Sequence, residues 1–288
     1  MLQLKLSLLL AFIYQFSFGQ TINAVIFKDG TKEKLPYVSI GIKNKPKGTI
    51  SDLDGKFTLN ANSDDTLIFS SVGYKQFVVP ASKVGAAVYL QEDAKELDEV
   101  VVKSDSKLRT AEIGNIKAKR TMLFGGTNQY AMLLKSDIAD NAVLDELYFN
   151  LNPDIFEDNR WESTVKIRVY ANDNGRPGKD LLTQNLVLQL NKKQKKLKVD
   201  VTNYAITIPR EGVFIGFDFM GYLDNNNNFV PYSRDNRPLN LRVEFTEAQP
   251  DKVSLIKFFG TDWYPVYYPD KAGVKTQASA KFGAKVSY

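Results

Sequence analysis

Two aspartates in the stretch GTISDLDGKFTL, at 48–59, have a spacing that could do chemistry. Asp52 and Asp54 lie on either side of a leucine and are followed by Gly55. An EF-hand calcium loop built around that glycine would need oxygen ligands at its first and last positions, which are Ile50 and Ala61 here. A catalytic carboxylate pair would need its acids held across a cleft, and no further acid lies nearby in the sequence. We therefore predict a hairpin turn between two strands, in which Asp-Gly supplies the left-handed position.

The densest aromatic segment, at 262–269, is the best candidate for a ligand site. Its candidate ligand-binding residues are Asp262, Trp263, Tyr264, Tyr267 and Tyr268. Prolines break the segment, which favours a loop or a sheet edge. Exposed aromatic faces stack on sugar rings through C–H groups, and a flanking acid accepts hydrogen bonds from hydroxyls. The alternative is packing between sheets, which is the commoner fate of Trp and Tyr rings.

A second loop, NDNGRPG at 172–178, supplies candidate metal ligands. Asn172, Asp173 and Asn174 offer side-chain oxygens, and calcium commonly supports loops of jelly-roll sandwiches. The simpler interpretation is a loop that Asx hydrogen bonds stabilise and that glycine and proline shape. Calcium is the one cofactor that the sequence suggests, and otherwise we expect none.

The composition removes most catalytic chemistry. The 288 residues include no cysteine and no histidine, which excludes disulfides, thiolate nucleophiles, Ser-His-Asp triads and zinc sites built on His or Cys. The formal net charge of +5 is mild for this length and does not suggest nucleic acid as a partner. We therefore expect no enzyme, and a glycosidase with two acids is the remaining catalytic alternative.

The first 19 residues have the pattern of a secretory signal peptide. Lys5 precedes an apolar run from Leu6 to Phe18, and Ser17 and Gly19 are the small residues expected before a cut at Gln20. A retained membrane anchor is the alternative, although the run is short for a membrane span and no later stretch is long enough. We expect an exported protein, located in the periplasm, on the outer-membrane surface or outside the cell.

Short strands with frequent turn signals dominate the rest of the chain and predict an all-β protein. The strand pattern fills 20–103, gives way to a polar, weakly periodic linker at 104–119, and resumes over 120–288. In one later strand, Ser163–Tyr170, Lys166 and Arg168 alternate with apolar residues and so face the opposite side. We predict a β-sandwich at 20–103 and a jelly-roll-like β-sandwich at 120–288.

The first of these regions resembles a known family. The stretches LPYVSIGIKNKPKGTISDLDGKFTLNA (35–61), DDTLIFSSVGYK (64–75) and VYLQEDAKELDEVVV (88–102) resemble the carboxypeptidase-regulatory-like domain. The resemblance implies a transthyretin-like sandwich in a secreted Gram-negative protein. Its last part, Leu97–Val102, is similar to the segment that joins such a domain to the plug of TonB-dependent receptors. Zinc carboxypeptidase activity is excluded, because its zinc site needs histidines.

The second region is similar to a sandwich domain that follows this regulatory-like domain in uncharacterised secreted proteins. The resemblance rests on STVKIRVYANDNGRPGKDLLTQNLVLQL (163–190) and LKVDVTNYAITIPREGVFIGFDF (197–219), and it implies no activity. We therefore predict a secreted, non-catalytic binding or adhesion module of the cell envelope, with a glycan as ligand. The alternative is a structural or assembly component that docks an envelope protein and binds no small ligand.

Overall fold

A computed structural model describes residues 19–93, 109–116, 122–124, 128–153, 162–191, 194–224, 226–232, 241–247, 252–269 and 275–288. Strands account for nearly all the regular structure of these residues, which confirms the all-β prediction. In the same ranges no helix has the length and apolar character that a membrane span requires. The predicted signal peptide up to residue 18 and the receptor-like segment at 97–102 lie outside the described residues.

The first half is a sandwich of two small sheets. Its elements are β1 (Gly19–Lys28), β2 (Ser39–Ile42), β3 (Gly48–Ile50), β4 (Lys56–Asn62), β5 (Thr66–Ser70), β6 (Phe77–Pro80), a 3-10 turn η1 (Ala81–Lys83) and β7 (Ala87–Leu90). One sheet has the order β4-β1-β7 and the other β3-β2-β5-β6. Alternating residues such as Phe57, Leu59 and Phe69 point into a shared core. The predicted N-terminal sandwich is confirmed.

The turn at 52–55 is confirmed, but its prediction as a hairpin is wrong. The Asp52 carboxylate accepts hydrogen bonds from the backbone N–H groups of Asp54 (2.9 Å) and Lys56 (2.8 Å). Gly55 has the expected positive φ of 70°. The strands on either side, β3 and β4, belong to different sheets, so this turn carries the chain across the sandwich. Asp54 pairs with Lys34 and Lys56, and both aspartates therefore serve the turn.

The second half is a larger sandwich. Its strands are β8 (Thr110–Gly114), β9 (Met122–Phe124), β10 (Gln129–Leu134), β11 (Ala142–Pro153), β12 (Glu162–Asp173), β13 (Arg176–Asp180), β14 (Val187–Leu190), β15 (Lys196–Asp200), β16 (Thr207–Ile208), β17 (Val213–Leu223), β18 (Phe229–Pro231), β19 (Leu241–Glu247), β20 (Ser254–Lys257), β21 (Tyr264–Pro265), β22 (Tyr267–Pro269), β23 (Lys275–Ala280) and β24 (Phe282–Ser287), with a 3-10 turn η2 (Thr202–Tyr204). Two sheets have the orders β13-β12-β17-β10-β20-β21 and β22-β23-β19-β11-β24-β8. Edge-to-face rings of Phe149, Phe217 and Phe282 join them across the core.

The predicted linker at 104–119 is described only at 109–116, and part of it is a strand. Thr110–Gly114 forms β8 at the edge of the second sheet, where Ile113 lies opposite Ala284 of β24. Ile113 is the only buried residue of β8. An edge strand needs few apolar residues, which explains why this segment has the composition of a linker.

The two halves pack against each other through the outer face of β3-β2-β5-β6. All four residues of β2 are buried, because Ile40 and Ile42 enter the first core while the opposite face meets the second half. The backbone N–H of Asn44 donates to the carbonyl of Gly260 (2.8 Å). The Tyr37 ring meets Phe229 edge to face at 5.4 Å between ring centroids. The interface between the two halves therefore contains both a backbone hydrogen bond and an aromatic contact.

We predict that a single methyl group at Gly48 disturbs this interface. A Cβ there would collide with the Ile40 carbonyl and the Phe259 ring of the second half. Overpacking of this kind costs about 1–3 kcal/mol, so Gly48→Ala should lower the melting temperature by several degrees, measured by calorimetry. Gly85→Ala is the matched control, because a Cβ at Gly85 would meet open space. An unchanged melting temperature in Gly48→Ala would contradict the packing described here.

Candidate functional site

A polar cavity of about 280 Å³ lies where the two halves meet. The first half contributes the loop after β5, with Val72-Gly73-Tyr74. The second half contributes the charged side chains of Arg168, Asp180 and Lys257 and the ring of Trp263. Cations, the acids Asp93 and Asp180 and an aromatic face therefore converge on one partly open cavity.

Arg168, near the middle of β12, is the central charge of the site. Its Nε and Nη2 donate to Oδ2 of Asp218 at 2.8 and 2.6 Å, and its Nη1 donates to Oδ2 of Asp180 at 2.8 Å. Nε2 of Gln129 donates to the other oxygen of Asp218 (3.0 Å). The backbone N–H of Leu182 donates to the other oxygen of Asp180 (3.0 Å). Hydrogen bonds therefore fix the guanidinium and both of its carboxylates.

Lys166 extends the charged cluster towards the first half. It is completely buried, and its Nζ donates to the backbone carbonyl of Tyr37 (2.9 Å) and lies 3.9 Å from Oδ2 of Asp218. Burial, together with the charge of Arg168, lowers the pKa of Lys166 to about 7. Burial also opposes the charge of Arg168, but Asp218 and Asp180 hold the pKa of that guanidinium above its ordinary value. The cluster thus combines one permanent cation with one amine that titrates near neutral pH.

The sequence predicted the direction of these side chains but not their burial. Arg168 and Lys166 do lie opposite the core-facing Val165, Ile167 and Val169. The face they occupy is covered by the first half of the chain, so they are 4% and 0% exposed.

One feature of the sequence could have predicted the charged cluster around Arg168. Asp218 is the only charged residue in β17, which is otherwise apolar or glycine apart from a tyrosine near its end. A lone acid in such a strand needs a partner, because burying an unpaired charge is costly. In the antiparallel ladders of this sheet, Asp218 lies directly opposite Lys166 and Gln129.

Among its described side chains, the aromatic segment reaches the cavity through Trp263 alone. Trp263 is half-buried, packs edge to face on Tyr170 with ring centroids 5.8 Å apart, and has the Nζ of Lys257 5.8 Å from its ring centroid. Burial lowers the pKa of Lys257. The Tyr264 and Tyr267 rings are 48% and 53% exposed and do not line the cavity.

The remaining members of that segment are less informative. Asp262 is exposed and outside the cavity lining, and the side chain of Tyr268 lies outside the described residues. Of the four predicted ligand-binding residues whose side chains are described, the structure brings Trp263 into the cavity, and it adds Arg168, Asp180 and Lys257.

The candidate metal ligands lie at a tight turn between β12 and β13. Asn174 and Gly175 occupy its centre with positive φ angles of 50° and 82°. Oδ1 of Asn172 accepts the N–H of Gly175 (2.8 Å), and Oδ1 of Asp173 accepts from Nδ2 of Asn174 (2.9 Å). No cluster of three acids, histidines or cysteines suited to a metal occurs within the described residues. The Asx-type turn is confirmed, and calcium binding there stays a prediction.

Comparison with known proteins identifies the first half. Residues 22–102 match the model of the CarboxypepD_reg-like domain family. The chain is 37% identical over 87 residues to the TonB-dependent receptor SusC of Bacteroides thetaiotaomicron. The matched region covers 30% of this chain and 9% of that protein. It is also 37% identical over 92 residues to the TonB-dependent receptor P26 of Formosa agariphila, covering 32% and 9%.

These matches confirm the resemblance drawn from the sequence. Residues 22–102 form a carboxypeptidase-regulatory-like domain, distantly homologous to the matching part of these two receptors, and nothing indicates a zinc carboxypeptidase. The chain spans only about a tenth of the length of these relatives.

We predict that Lys166 makes stability depend on pH above neutrality. Its pKa is about 7 in the folded protein against an ordinary value of 10.5, so between these values the unfolded chain binds more protons. The free energy of unfolding should therefore rise with pH in this window, by up to about 1.4 kcal/mol per pH unit. Urea unfolding at pH 7, 8 and 9 measures the slope.

Lys166→Met should flatten this slope, although Lys257 will retain a contribution of the same sign. Lys43→Met, at an exposed position of the first half, is the matched control and should leave the slope unchanged. A slope that is the same in Lys166→Met and the unmodified protein would show that another group titrates.

Proposed function

We propose that this protein is a non-catalytic binding module of the Gram-negative cell envelope and that its ligand is a glycan. The observation that carries the proposal is the cavity between the two halves, where the Trp263 ring lies beside Arg168, Lys257 and Asp180. Such a cavity offers an apolar face and convergent polar groups together, as small-molecule sites do.

The chemistry of the cavity suits a sugar ring. The negative face of the Trp263 ring attracts the weakly positive C–H groups on one side of a pyranose. Asp180 can accept hydrogen bonds from hydroxyls, while Arg168 and Lys257 can donate to ring and hydroxyl oxygens. The volume of about 280 Å³ is just below the range of about 300–1,000 Å³ usual for small-molecule pockets. It therefore suits one sugar unit, with any longer chain extending outside.

Arg168 is prepared for binding before a ligand arrives. Of the five N–H donors of a guanidinium, three are engaged by Asp218 and Asp180. The remaining donors are held in a fixed orientation by those bonds. Binding therefore requires little ordering of the side chain, which favours affinity.

The arrangement of the acids supports a non-catalytic role. Asp180 and Asp218 both bind the guanidinium of Arg168, and Asp218 is only 2% exposed. A glycosidase needs its two carboxyl groups on opposite sides of the bond to be cleaved. Asp218 does not line the cavity, and the two acids that do, Asp93 and Asp180, are each paired with a cation, Lys179 and Arg168 respectively.

The envelope location rests on the relatives and on the leader. Two relatives of the first half are TonB-dependent receptors, and the chain begins with the pattern of a signal peptide. Export to the periplasm, the outer-membrane surface or the exterior follows from this proposal. An envelope protein remains the alternative partner.

We predict that Trp263→Ala removes glycan binding without unfolding the protein. The chain from Gln20 to Tyr288 would be screened on a glycan array, and each hit would be measured by titration calorimetry. Loss of the stacking face should weaken binding about tenfold or more, equivalent to about 1.4 kcal/mol. The melting temperature should move little, because Trp263 is only half-buried.

Tyr264→Ala and Tyr267→Ala are the matched controls, because both rings are exposed and outside the cavity. If these variants lose binding and Trp263→Ala keeps it, the site is the exposed segment instead. A blank array with folded protein would contradict a glycan ligand and favour the assembly role. If glycan binding is lost when calcium is removed, calcium binding at the turn 172–175 would be supported.

A further inference from the structure

The open side of the first sandwich carries a groove that the proposed sugar site does not use. It has a volume of about 510 Å³ and lies between β6 and β7. Within the described residues, β6 and β7 are each the last strand of their sheet. One row of backbone N–H and C=O groups on each strand therefore faces the groove side without a neighbouring strand.

The start of β6 and the end of β7 are joined by backbone contacts, and the groove lies between the rest of the two strands. The backbone N–H of Lys75 donates to the carbonyl of Gln91 (2.9 Å), and Tyr74 forms a bridge with Glu92. Beyond that junction the turn η1 anchors the far end of β6 through the buried Ala81. The groove is thus a bounded slot beside two strand edges.

Aromatic rings form part of the walls and are already held in place. Phe77 is 38% exposed and lies 5.9 Å from the Phe69 ring of the core. Tyr89 is 51% exposed and stacks on Phe27 at 5.7 Å. Rings that are fixed from behind and exposed in front lose little entropy when a partner covers them.

The edges lack the usual protection against strand pairing. Natural edge strands are commonly blunted by lysine or proline. Pro80 ends β6, but Phe77–Val79 and the whole of β7, Ala87–Leu90, carry no charged side chain. An unprotected edge beside an apolar groove is the surface that binds an added strand in β-augmentation.

The charges around the groove are mainly basic. Lys75 and Lys83 line it and are exposed, whereas Asp29 is the one acid in its lining. No ion pair of either lysine occurs among the described residues. An incoming segment with carboxylates would therefore be favoured over a basic one.

We propose that this groove docks an extended segment of a protein partner, which adds a strand to β6 or β7 and carries apolar residues next to Asp or Glu. The free strand edge supplies backbone hydrogen bonds, Phe77 and Tyr89 receive the apolar side chains, and Lys75 and Lys83 attract the acids.

A peptide library tests the proposal directly. The chain from Gln20 to Tyr288 would be exposed to bead-bound nonapeptides whose positions are varied among Asp, Lys, Ser, Val, Phe and Pro. We expect enrichment of peptides that combine Val or Phe with Asp, and depletion of Pro, which removes a backbone donor. The best peptide would then be titrated by fluorescence anisotropy.

Variants separate the groove from the rest of the surface. Tyr89→Ala should weaken the best peptide about tenfold or more, and Lys83→Glu should switch the selected flanking residue from Asp to Lys. Leu53→Ala is the matched control, since Leu53 is 65% exposed on the turn of the same sandwich and does not line the groove. Trp263→Ala should leave peptide binding unchanged, because Trp263 does not line the groove. The peptide proposal and the glycan proposal can therefore be refuted separately.

Three results would overturn the proposal. The first is that the unmodified protein enriches no peptide more strongly than the Phe77→Lys or Tyr89→Ala variant does. The second is peptide binding that Lys83→Glu does not alter. The third is concentration-dependent dimerisation abolished by Tyr89→Ala, which would make a second copy of this chain the occupant.

Discussion

The buried guanidinium of Arg168 is the constraint on which the arrangement of the molecule depends. A charge in this position costs several kcal/mol unless it is paired and hydrogen-bonded. Asp218 of β17 and Asp180 at the end of β13 supply the pairing, and Gln129 of β10 completes the bonds of Asp218. Three neighbouring strands and the end of a fourth are therefore held in one register around one cation.

This cluster makes the two halves interdependent. The outer face of the second sandwich is polar at Lys166 and Arg168, and the first half covers it. Lys166 reaches across to the Tyr37 carbonyl, while Phe259 packs against the backbone at Gly48. The cavity exists because neither half fills this junction completely. A regulatory-like domain, which in the two receptor relatives forms part of a much larger protein, here forms one wall of the proposed site.

Much of the fold was predictable because strand periodicity is a local property. The alternation in Lys56–Asn60 and in Ser163–Tyr170 predicted both strands and the faces of their side chains. The strand Gln129–Leu134 was missed because all of it is buried, and a short apolar run without alternation does not identify a strand. Thr110–Gly114 was assigned to a linker because an edge strand needs only one buried residue. Within the candidate site, Trp263 was predicted because it lies in the densest aromatic segment of the sequence. The charged residues beside it, Arg168, Asp180 and Lys257, were not predicted.

The sequence by itself determined the all-β class, the turn at Asp52 and the direction in which Lys166 and Arg168 point. These features follow from backbone geometry and from contacts between residues close in the chain. Only the tertiary structure decided that the polar face of β12 is buried, because the first sandwich that covers it is distant in sequence: Tyr37, which accepts the hydrogen bond of Lys166, is 129 residues away. The same packing decided which aromatic ring faces a cavity, since exposure depends on what the rest of the chain places in front of it.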